Sequence, residues 1–378
     1  MKRIDLCCSS SCCSSPQNPA SSVYLDPDHD FPWVMELIDS AAGKIRKVKT
    51  RLDLQDTLGA VKVRLGINRE NYKVSPGLYA VGNPDDKAPV LVTANYKLTF
   101  DSLRKELQDH HLWILVLDTK GINVWCAAGK GTFGTQELLR RINRVQLKKI
   151  VSHKTIILPQ LGAPGVSAHE IKQNTGFNVV YGPVRAADIP RFLSSKLKAT
   201  REMRTVHFTL KDRLTVIPVE FKLSLKLFPL FFALLLVFNL IHPGEVKIGA
   251  VLTQTLYNFF PYLIATTLGT IGIAALLPYI PFRSFALKGC VLGIPLAALV
   301  VTNNRTFFFP DSTFIAAANV LFLTSITSFL ALNFTGSTTY TSVSGVQKET
   351  IITLPVIILA ALIGLGLVIT YKIMLFSA

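Results

Sequence analysis

The run from Asn123 to Thr135, Asn-Val-Trp-Cys-Ala-Ala-Gly-Lys-Gly-Thr-Phe-Gly-Thr, holds the residues best suited to chemistry in this chain. Cys126 stands before a glycine-rich turn, and a helix is expected from Thr135. Amides at a helix start donate to negative charge, which suits a thiolate. The thiolate is the form that serves as a nucleophile or as a soft metal ligand. A buried packing role is the commoner fate of a free cysteine, and residue type alone does not choose between the two. Gly129, Gly131 and Gly134 also fit G-x-G-x-x-G. A dinucleotide site, however, needs an acidic residue about 20 positions on. That neighbourhood holds Lys148, Lys149 and Lys154 instead. A Walker loop fails as well, because position 124 is valine and position 131 is glycine.

Other candidates are weaker. Cys7, Cys8, Cys12 and Cys13 form Cys-Cys-x3-Cys-Cys in a Ser-rich stretch. Such thiols would suit a soft metal ion, although low complexity is the simpler reading. Cys290 falls in an apolar run and reads as packing. His110 and His111 are adjacent and point apart, a poor metal pair. His153 and His169 stand alone. The sequence contains no C-x2-C-x2-C spacing for an iron–sulfur cluster.

The elements that must position Cys126 alternate between strand and helix. Short apolar runs bounded by turn residues read as buried strands at 90–93, 112–117, 155–158 and 177–181. Helices are expected at 102–108 with Asp101 as cap, 135–150, 166–173 and 186–198. A further helix is expected from Asp30 and Pro32 to about Lys47, and a strand pair over 201–226. The alternation predicts an α/β domain with a mostly parallel sheet. Ligands of such sheets bind at the carboxyl ends of the strands. Three segments should meet there: Thr93 to Tyr96, Gly121 to Gly134, and Pro159 to Gly165.

The rest of the chain is of another kind. The 378 residues are 49% hydrophobic and 17% charged, with a net charge of +16. Only six of the 40 basic and three of the 24 acidic residues lie beyond position 226, which leaves +13 on the first 226 residues. This asymmetry argues against a nucleic-acid partner and for a basic water-soluble part joined to an oily one. Spans long enough for a bilayer are expected at 227–241, 256–280, 285–302, 314–334 and 351–371, forming an all-α five-helix transmembrane domain. Their interiors lack Asp, Glu, Arg and His, the usual marks of a transport path. Nine basic against three acidic residues at 191–226 put the N-terminal domain in the cytoplasm of a multi-pass inner-membrane protein, with the C-terminus outside. Lys372 lies on the wrong side for that scheme. No apolar signal region follows Met1-Lys2-Arg3. The expected organisation is a disordered tail at 1–25, a soluble domain at 26–200, a connector at 201–226 and the membrane domain at 227–378. The polar stretch 335–350 is expected to be a loop on the side of the soluble domain.

The run Asn123–Lys130 resembles, at every position, the cap-helix motif Asn-Val/Ile-Trp-Cys-Ala-Ala-Gly-Lys of the HgcA family, corrinoid proteins of microbial mercury methylation. The resemblance extends to residues 92–99, 158–165 with Ala168-His169-Glu170, 181–185, and a five-span tail with a Phe-Thr-Gly-x-Ser/Thr-Ser/Thr turn at 334–339. A more distant likeness is to the large subunit of the corrinoid iron–sulfur protein of the acetyl-CoA pathway.

The resemblance implies a Rossmann-like corrinoid-binding domain holding cobalamin or a related corrinoid, base-off, with Cys126 as the lower cobalt ligand. Asn123, Val124, Trp125, Ala127, Ala128, Gly129, Lys130, Gly131 and Thr132 would pack against the ring. Thr93, Asn95, Tyr96, Gln160, Gly162, Pro164 and Gly165 would line the rest of the pocket. The implied activity passes a methyl group from a methyl-cobalt(III) corrinoid to Hg(II), with a methyl-tetrahydrofolate as a plausible donor. The implied reductant is the ferredoxin-like HgcB, with two 4Fe–4S clusters. Two other function classes stay open: a membrane-anchored methyl carrier for one-carbon metabolism, and a transporter with a cytoplasmic regulatory domain.

Overall fold

The computed structural model describes residues 31–241, 247–303 and 312–377. The first thirty residues, with Cys7, Cys8, Cys12 and Cys13, lie outside the described residues. Two compact units emerge: one of residues up to Asp53 with Glu70–Arg204, the other of Leu54–Arg69 with the chain from Thr205.

The first unit is built on seven strands: β1 (Val34–Ser40), β2 (Gly43–Val48), β3 (Gly77–Val81), β4 (Val90–Ala94), β5 (Leu112–Leu117), β6 (Thr155–Leu158) and β7 (Asn178–Tyr181). They form one sheet in the order β1-β2-β3-β5-β4-β6-β7. The pairs β2–β3, β5–β4, β4–β6 and β6–β7 are parallel, and β1–β2 and β3–β5 are antiparallel. The expected α/β fold with a mostly parallel sheet is therefore observed.

Strands β4 and β5 are buried at every position, as strands covered on both faces must be. Alternation sorts their side chains between two layers. Val90, Val92, Ala94, Trp113, Leu115 and Leu117 meet Leu138 and Ile142 of α4 (Thr135–Arg144) and Ile171 of α5 (Ala168–Thr175). Leu91, Leu112, Ile114 and Val116 meet Phe100 and Leu103 of α2 (Lys97–Lys105) and Phe192 of α6 (Ile189–Ser194). After β4 the chain turns to β5 on one side; after β5 it passes to β6 on the other and then outward to β7. The carboxyl ends of β4 and β6 thus form a topological switch point, the place where open α/β sheets bind ligands.

Four expectations are corrected. The helix expected at 102–108 with Asp101 as cap is α2, which starts after Tyr96 and holds Asp101 within it, paired with Lys97 and Arg104. The helix expected from Pro32 to Lys47 is the antiparallel β1–β2 hairpin, whose turn needs Gly43 at a φ of +112°; Asp30 lies outside the described residues. The strand pair expected over 201–226 is a short 3-10 turn (Glu202–Arg204) and α7 (Leu210–Leu225). Helix α7 opens with a capping box: the Thr209 hydroxyl accepts from the Asp212 amide, and the Asp212 carboxylate accepts from the Thr209 amide. The polar loop is short, because a 3-10 turn covers Phe334–Ser337 and the last helix begins at Val343.

The second unit is helical. It contains α1 (Leu54–Arg64), α7, α8 (Phe228–Leu240) and α9 (Ile248–Thr267), which continues through a π turn into α10 (Ile273–Leu276). Then follow α11 (Phe285–Thr302), α12 (Thr313–Asn333) and α13 (Val343–Ser377). Among the described residues, five stretches are long and apolar enough to cross a membrane: Leu210–Leu240, Ile248–Leu276, Phe285–Thr302, Thr313–Ser337 and Ser344–Ser377. Small residues let α11 and α12 approach closely. A Cβ on Gly289 would lie 2.5 Å from Ser328 Cα, and one on Gly293 would lie 2.9 Å from Thr324 Cα. Cys290 Sγ lies 3.1 Å from Ser328 Oγ in the same contact.

Candidate functional site

Cys126 lies in the first turn of a short helix, α3 (Val124–Gly129), which follows the carboxyl end of β5. Asn123 starts this helix from extended backbone, and its Oδ1 accepts the Cys126 amide at 2.9 Å. Val124, Ala127 and Ala128 are buried in the core, whereas Trp125 is 41% exposed and Cys126 is half-buried. The helix therefore turns its small residues inward and leaves the thiol side accessible. Its end is closed by amide bonds from Lys130 to the Cys126 carbonyl and from Gly131 to the Ala128 carbonyl. Gly131 adopts a φ of +77°, the left-handed conformation that ends many helices. The Thr132 hydroxyl reaches the Ala127 carbonyl at 3.4 Å.

The 3-10 turn Gln160–Gly165 follows β6 and packs on this helix. Two glycines permit the contact. A Cβ on Gly165 would sit 2.1 Å from the Phe133 carbonyl oxygen and 3.2 Å from Ala128 Cα. A Cβ on Gly162 would sit 2.5 Å from the Phe133 ring. The Thr135 hydroxyl, at the start of α4, accepts the Ser167 amide at 2.8 Å and ties down the far end of the turn. Tyr181 donates from its hydroxyl to the Val166 carbonyl at 3.0 Å, and burial raises its pKa.

Asn95, after β4, is 2% exposed and spends its side chain on the loop that leads to Cys126. Its Oδ1 accepts from the Thr119 amide at 3.1 Å, the Thr119 hydroxyl at 2.8 Å and the Gly121 amide at 2.9 Å. Its Nδ2 donates to Asp118 Oδ1 at 3.3 Å. The Asp118 amide in turn donates to Glu137 Oε1 at 2.9 Å, and Arg141 holds that same oxygen at 2.6 Å. Thus the three segments expected to meet are brought together at the carboxyl ends of β4, β5 and β6.

Not every expected residue reaches that face. Thr93 shares the parity of Leu91, whose side chain joins the opposite layer, and it is buried. Tyr96 is buried at the start of α2, where its backbone bridges to Lys73. Gly129, Lys130, Gly131 and Pro164 are exposed. A Cβ on Gly129 or Gly131 would meet nothing within 4 Å. Gln160 is half-buried, and its Oε1 is a buried acceptor with no partner. Sequence reasoning missed Asp118, Thr119, Phe133 and Glu137. The first two stand just past the end of β5, where the strand-end rule could have found them.

The donor set is narrow. Among the described residues, no group of three or more His, Cys, Asp or Glu side chains could hold a metal ion. His111 Nδ1 accepts the Asn83 amide, His153 Nε2 meets the Ala88 carbonyl, and His169 meets the Ser167 hydroxyl. Cys126 therefore offers a single soft ligand, half-buried next to the exposed Trp125 and the exposed turn of Gly129, Lys130 and Gly131. That arrangement suits a metal whose other ligands come with a flat macrocycle, not one held by protein side chains alone.

Residues 55–193 match the model of the family CdhD, described as CO dehydrogenase/acetyl-CoA synthase delta subunit. The acetyl-CoA decarbonylase/synthase complex subunit gamma of Methanopyrus kandleri is 32% identical over 130 residues, 34% of this chain and 28% of that protein. The corresponding subunit of Methanocaldococcus jannaschii is 33% identical over 127 residues, 33% of this chain and 26% of its own length. The corrinoid/iron-sulfur protein large subunit of Moorella thermoacetica is 30% identical over 127 residues, 33% of this chain and 28% of its own length. The chain thus carries a CdhD-like domain, homologous to these gamma subunits, and spans little more than a quarter of the relatives' length. The matched residues run from α1 into α6 and include every element of the candidate site.

Proposed function

We propose that this chain is a membrane-anchored, corrinoid-dependent methyltransferase in which Cys126 is the lower axial ligand and Hg(II) is the methyl acceptor. The observation that carries this reading is the intact run Asn123–Lys130, folded as a capped turn of helix with its thiol side accessible. The similarity over residues 55–193 to a corrinoid/iron-sulfur protein large subunit supports the cofactor class. Five membrane-competent helices support a place in the cytoplasmic membrane. On this reading the sheet unit lies in the cytoplasm and the C-terminus outside.

The corrinoid, when bound base-off, supplies a cobalt centre that takes up and hands on a methyl group. Cys126 would hold the cobalt with one soft, electron-rich donor. Asn123 fixes the turn that aims the thiol. Gly129 and Gly131 would keep the facing surface low, with Trp125 and Lys130 at its edge, while Ala127 and Ala128 seat the helix on the core. Val124 anchors the helix from beneath. Gln160 Oε1 offers a free acceptor to an amide of the macrocycle, and Gly162, Pro164 and Gly165 shape the opposite wall. Thr132 would frame one end, whereas Tyr96 is spent on the start of α2. Asn95 acts through the loop at 118–121, and Thr93 belongs to the other layer.

The sequence holds no cluster-binding cysteine spacing, so a separate reductant is required. A small ferredoxin of the HgcB kind, with two 4Fe–4S clusters, would meet that need, and a methyl-tetrahydrofolate would serve as methyl donor. A second reading, a membrane-anchored methyl carrier for one-carbon metabolism, is favoured by the similarity to acetyl-CoA decarbonylase/synthase subunits. Product analysis separates the two. Anaerobic membranes carrying this chain, the ferredoxin and cobalamin should convert Hg(II) to methylmercury, and Cys126→Ala should abolish conversion and alter the cobalt spectrum. Corrinoid bound with no methylmercury would select the carrier. An unchanged spectrum in Cys126→Ala would remove the axial ligand from either reading.

A further inference from the structure

In the helical unit, Arg213 of α7 is 5% exposed, and its Nε and Nη1 are buried without a hydrogen-bond partner. Two other buried cations of this unit are served by carbonyls. Lys288 Nζ donates to the carbonyls of Leu277 and Ile280, and Lys372 Nζ donates to that of Ile241. An arginine keeps its charge under physiological conditions, so it cannot escape burial by neutralising. A guanidinium with two of its three nitrogens buried and unanswered is a costly arrangement for a folded chain.

Helical geometry fixes the direction in which Arg213 faces. At about 100° per residue, Ile217 and Glu220 fall within about 40° of it, whereas Val219 falls about 120° away. Ile217 shares a core cluster with Phe334. Glu220 Oε1 accepts from the Ser337 hydroxyl at 3.3 Å, and just before α7 the Phe208 ring meets that of Tyr340 at 6.1 Å. Arg213 therefore faces the turn at residues 334–340. That turn is rich in hydroxyls, with Thr335 and Thr338 buried, and residues 334–342 contain no carboxylate. Glu220, the acid on the same face of α7, is two turns away and bonded to Ser337.

We propose that Arg213 and the hydroxyls of this turn form a binding site for a phosphate group. Guanidinium N–H pairs match phosphate oxygens in geometry; of the turn's hydroxyls, Thr335 donates to the Leu332 carbonyl and Ser337 to Glu220, whereas Thr338 accepts from the Tyr340 amide and keeps its proton to donate. The stretch Leu210–Leu240 has 31 residues. It is about 46 Å long, against about 30 Å of hydrocarbon. With the uncharged α8 in the apolar layer, the first turns of α7 fall at headgroup level, beside Lys211. The phosphate can come from a phospholipid headgroup or from the free ion.

The test uses the full chain in a maltoside micelle free of phosphate. Its melting temperature is measured with phosphatidylglycerol, with diacylglycerol of the same acyl chains, and with inorganic phosphate against chloride at equal ionic strength. A rise with phosphatidylglycerol but not diacylglycerol is expected; an equal rise with inorganic phosphate identifies the free ion as sufficient. Arg213→Gln should melt higher than wild type without phosphate, because the unanswered charge is gone, and should show no phosphate response. Arg213→Lys should keep part of it. Equal responses in wild type and Arg213→Gln, no response to either phosphate source, or a lower melting point for Arg213→Gln without phosphate would each overturn the site. Native mass spectrometry of the wild type adds a measurement independent of the variant's folding. A bound phospholipid or phosphate is expected from phosphatidylglycerol micelles, and a bare chain refutes the proposal.

Discussion

In the sheet unit, Asp101 lies between two buried cations: both its oxygens are 2.6 Å from Lys97 Nζ, and Oδ1 is 2.8 Å from Arg104 Nε. In the helical unit, Lys288 is equally buried but meets only main-chain carbonyls at the end of α10. The same turn is closed from the other side by Glu349, which accepts from the Ser284 hydroxyl and the Ala286 amide at the start of α11. The sheet unit answers these buried cations chiefly with opposite charge; the helical unit answers Lys288 with the free end of a helix. The difference follows from what each interior offers. Helix termini leave main-chain groups unpaired. In α2 the backbone is paired within the helix, and Lys97, Asp101 and Arg104 stand at i,i+4 and i,i+3 spacing, where opposite charges meet.

Breaking the charge pair should have the largest effect. Asp101→Ala leaves Lys97 and Arg104 buried without their carboxylate and should destabilise the sheet unit by about 3–5 kcal/mol. The damage should spread, because Arg104 also donates to the carbonyls of Lys49 and Arg51 and so ties α2 to the segment after β2. All three tryptophans, Trp33, Trp113 and Trp125, lie in this unit, so denaturant unfolding followed by tryptophan fluorescence reports on it alone. A loss below about 1 kcal/mol would mean that the pair is no more than a surface ion pair in strength.

A smaller effect is expected at high pH in the sheet unit's signal. Tyr79 packs against Trp33 and Phe100 and donates to the Ser75 carbonyl at 2.6 Å. Burial pushes its pKa up to about 12, against the pull of nearby Arg46. The folded state therefore holds the phenol proton more tightly than the unfolded chain does. The stabilisation is complete below pH 10 and is lost as pH rises from 10 to 12. The loss should total about 2–3 kcal/mol. Tyr79→Phe should flatten this slope; a slope unchanged in that variant would assign it to another group.

The contrast between the units was only partly legible in the sequence. Strands β5 and β6 were readable because each is an apolar run closed by turn residues, buried on both faces. The β1–β2 hairpin was not. Its turn, Ser40-Ala41-Ala42-Gly43, lacks the Asn-Gly or Asp-Gly signal, and its apolar residues recur at spacings that also fit a helix. Helix α7 read as strands because Val216, Ile217, Val219 and Phe221 favour extended chain, although the Thr209–Asp212 capping box was a visible start signal. Cys126 was legible from its motif. The partners that hold its loop were not, since Asn95 meets Thr119 across 24 positions and Asp118 meets Glu137 across 19. Gly162 and Gly165 were placed in the pocket by resemblance alone, and the close approach to Phe133 that calls for glycine at both is a contact across about 30 positions that no local pattern signals.

The carbonyl-held cation should be the easiest of these features to remove. Lys288→Met takes away two hydrogen bonds at the end of α10 but also takes a charge out of an apolar interior. These effects oppose each other, so the net cost should be about 1–2 kcal/mol, well under that of Asp101→Ala. Cys290 lies two residues on in α11 with its sulfur against Ser328, so its alkylation rate reports on local opening of the α11–α12 contact. Lys288→Met should speed that alkylation several-fold and leave the tryptophan-detected unfolding of the sheet unit unchanged. A cost as large as that of Asp101→Ala would mean that the lysine's charge, not its hydrogen bonds, holds the turn. The two units would then bury charge by one rule.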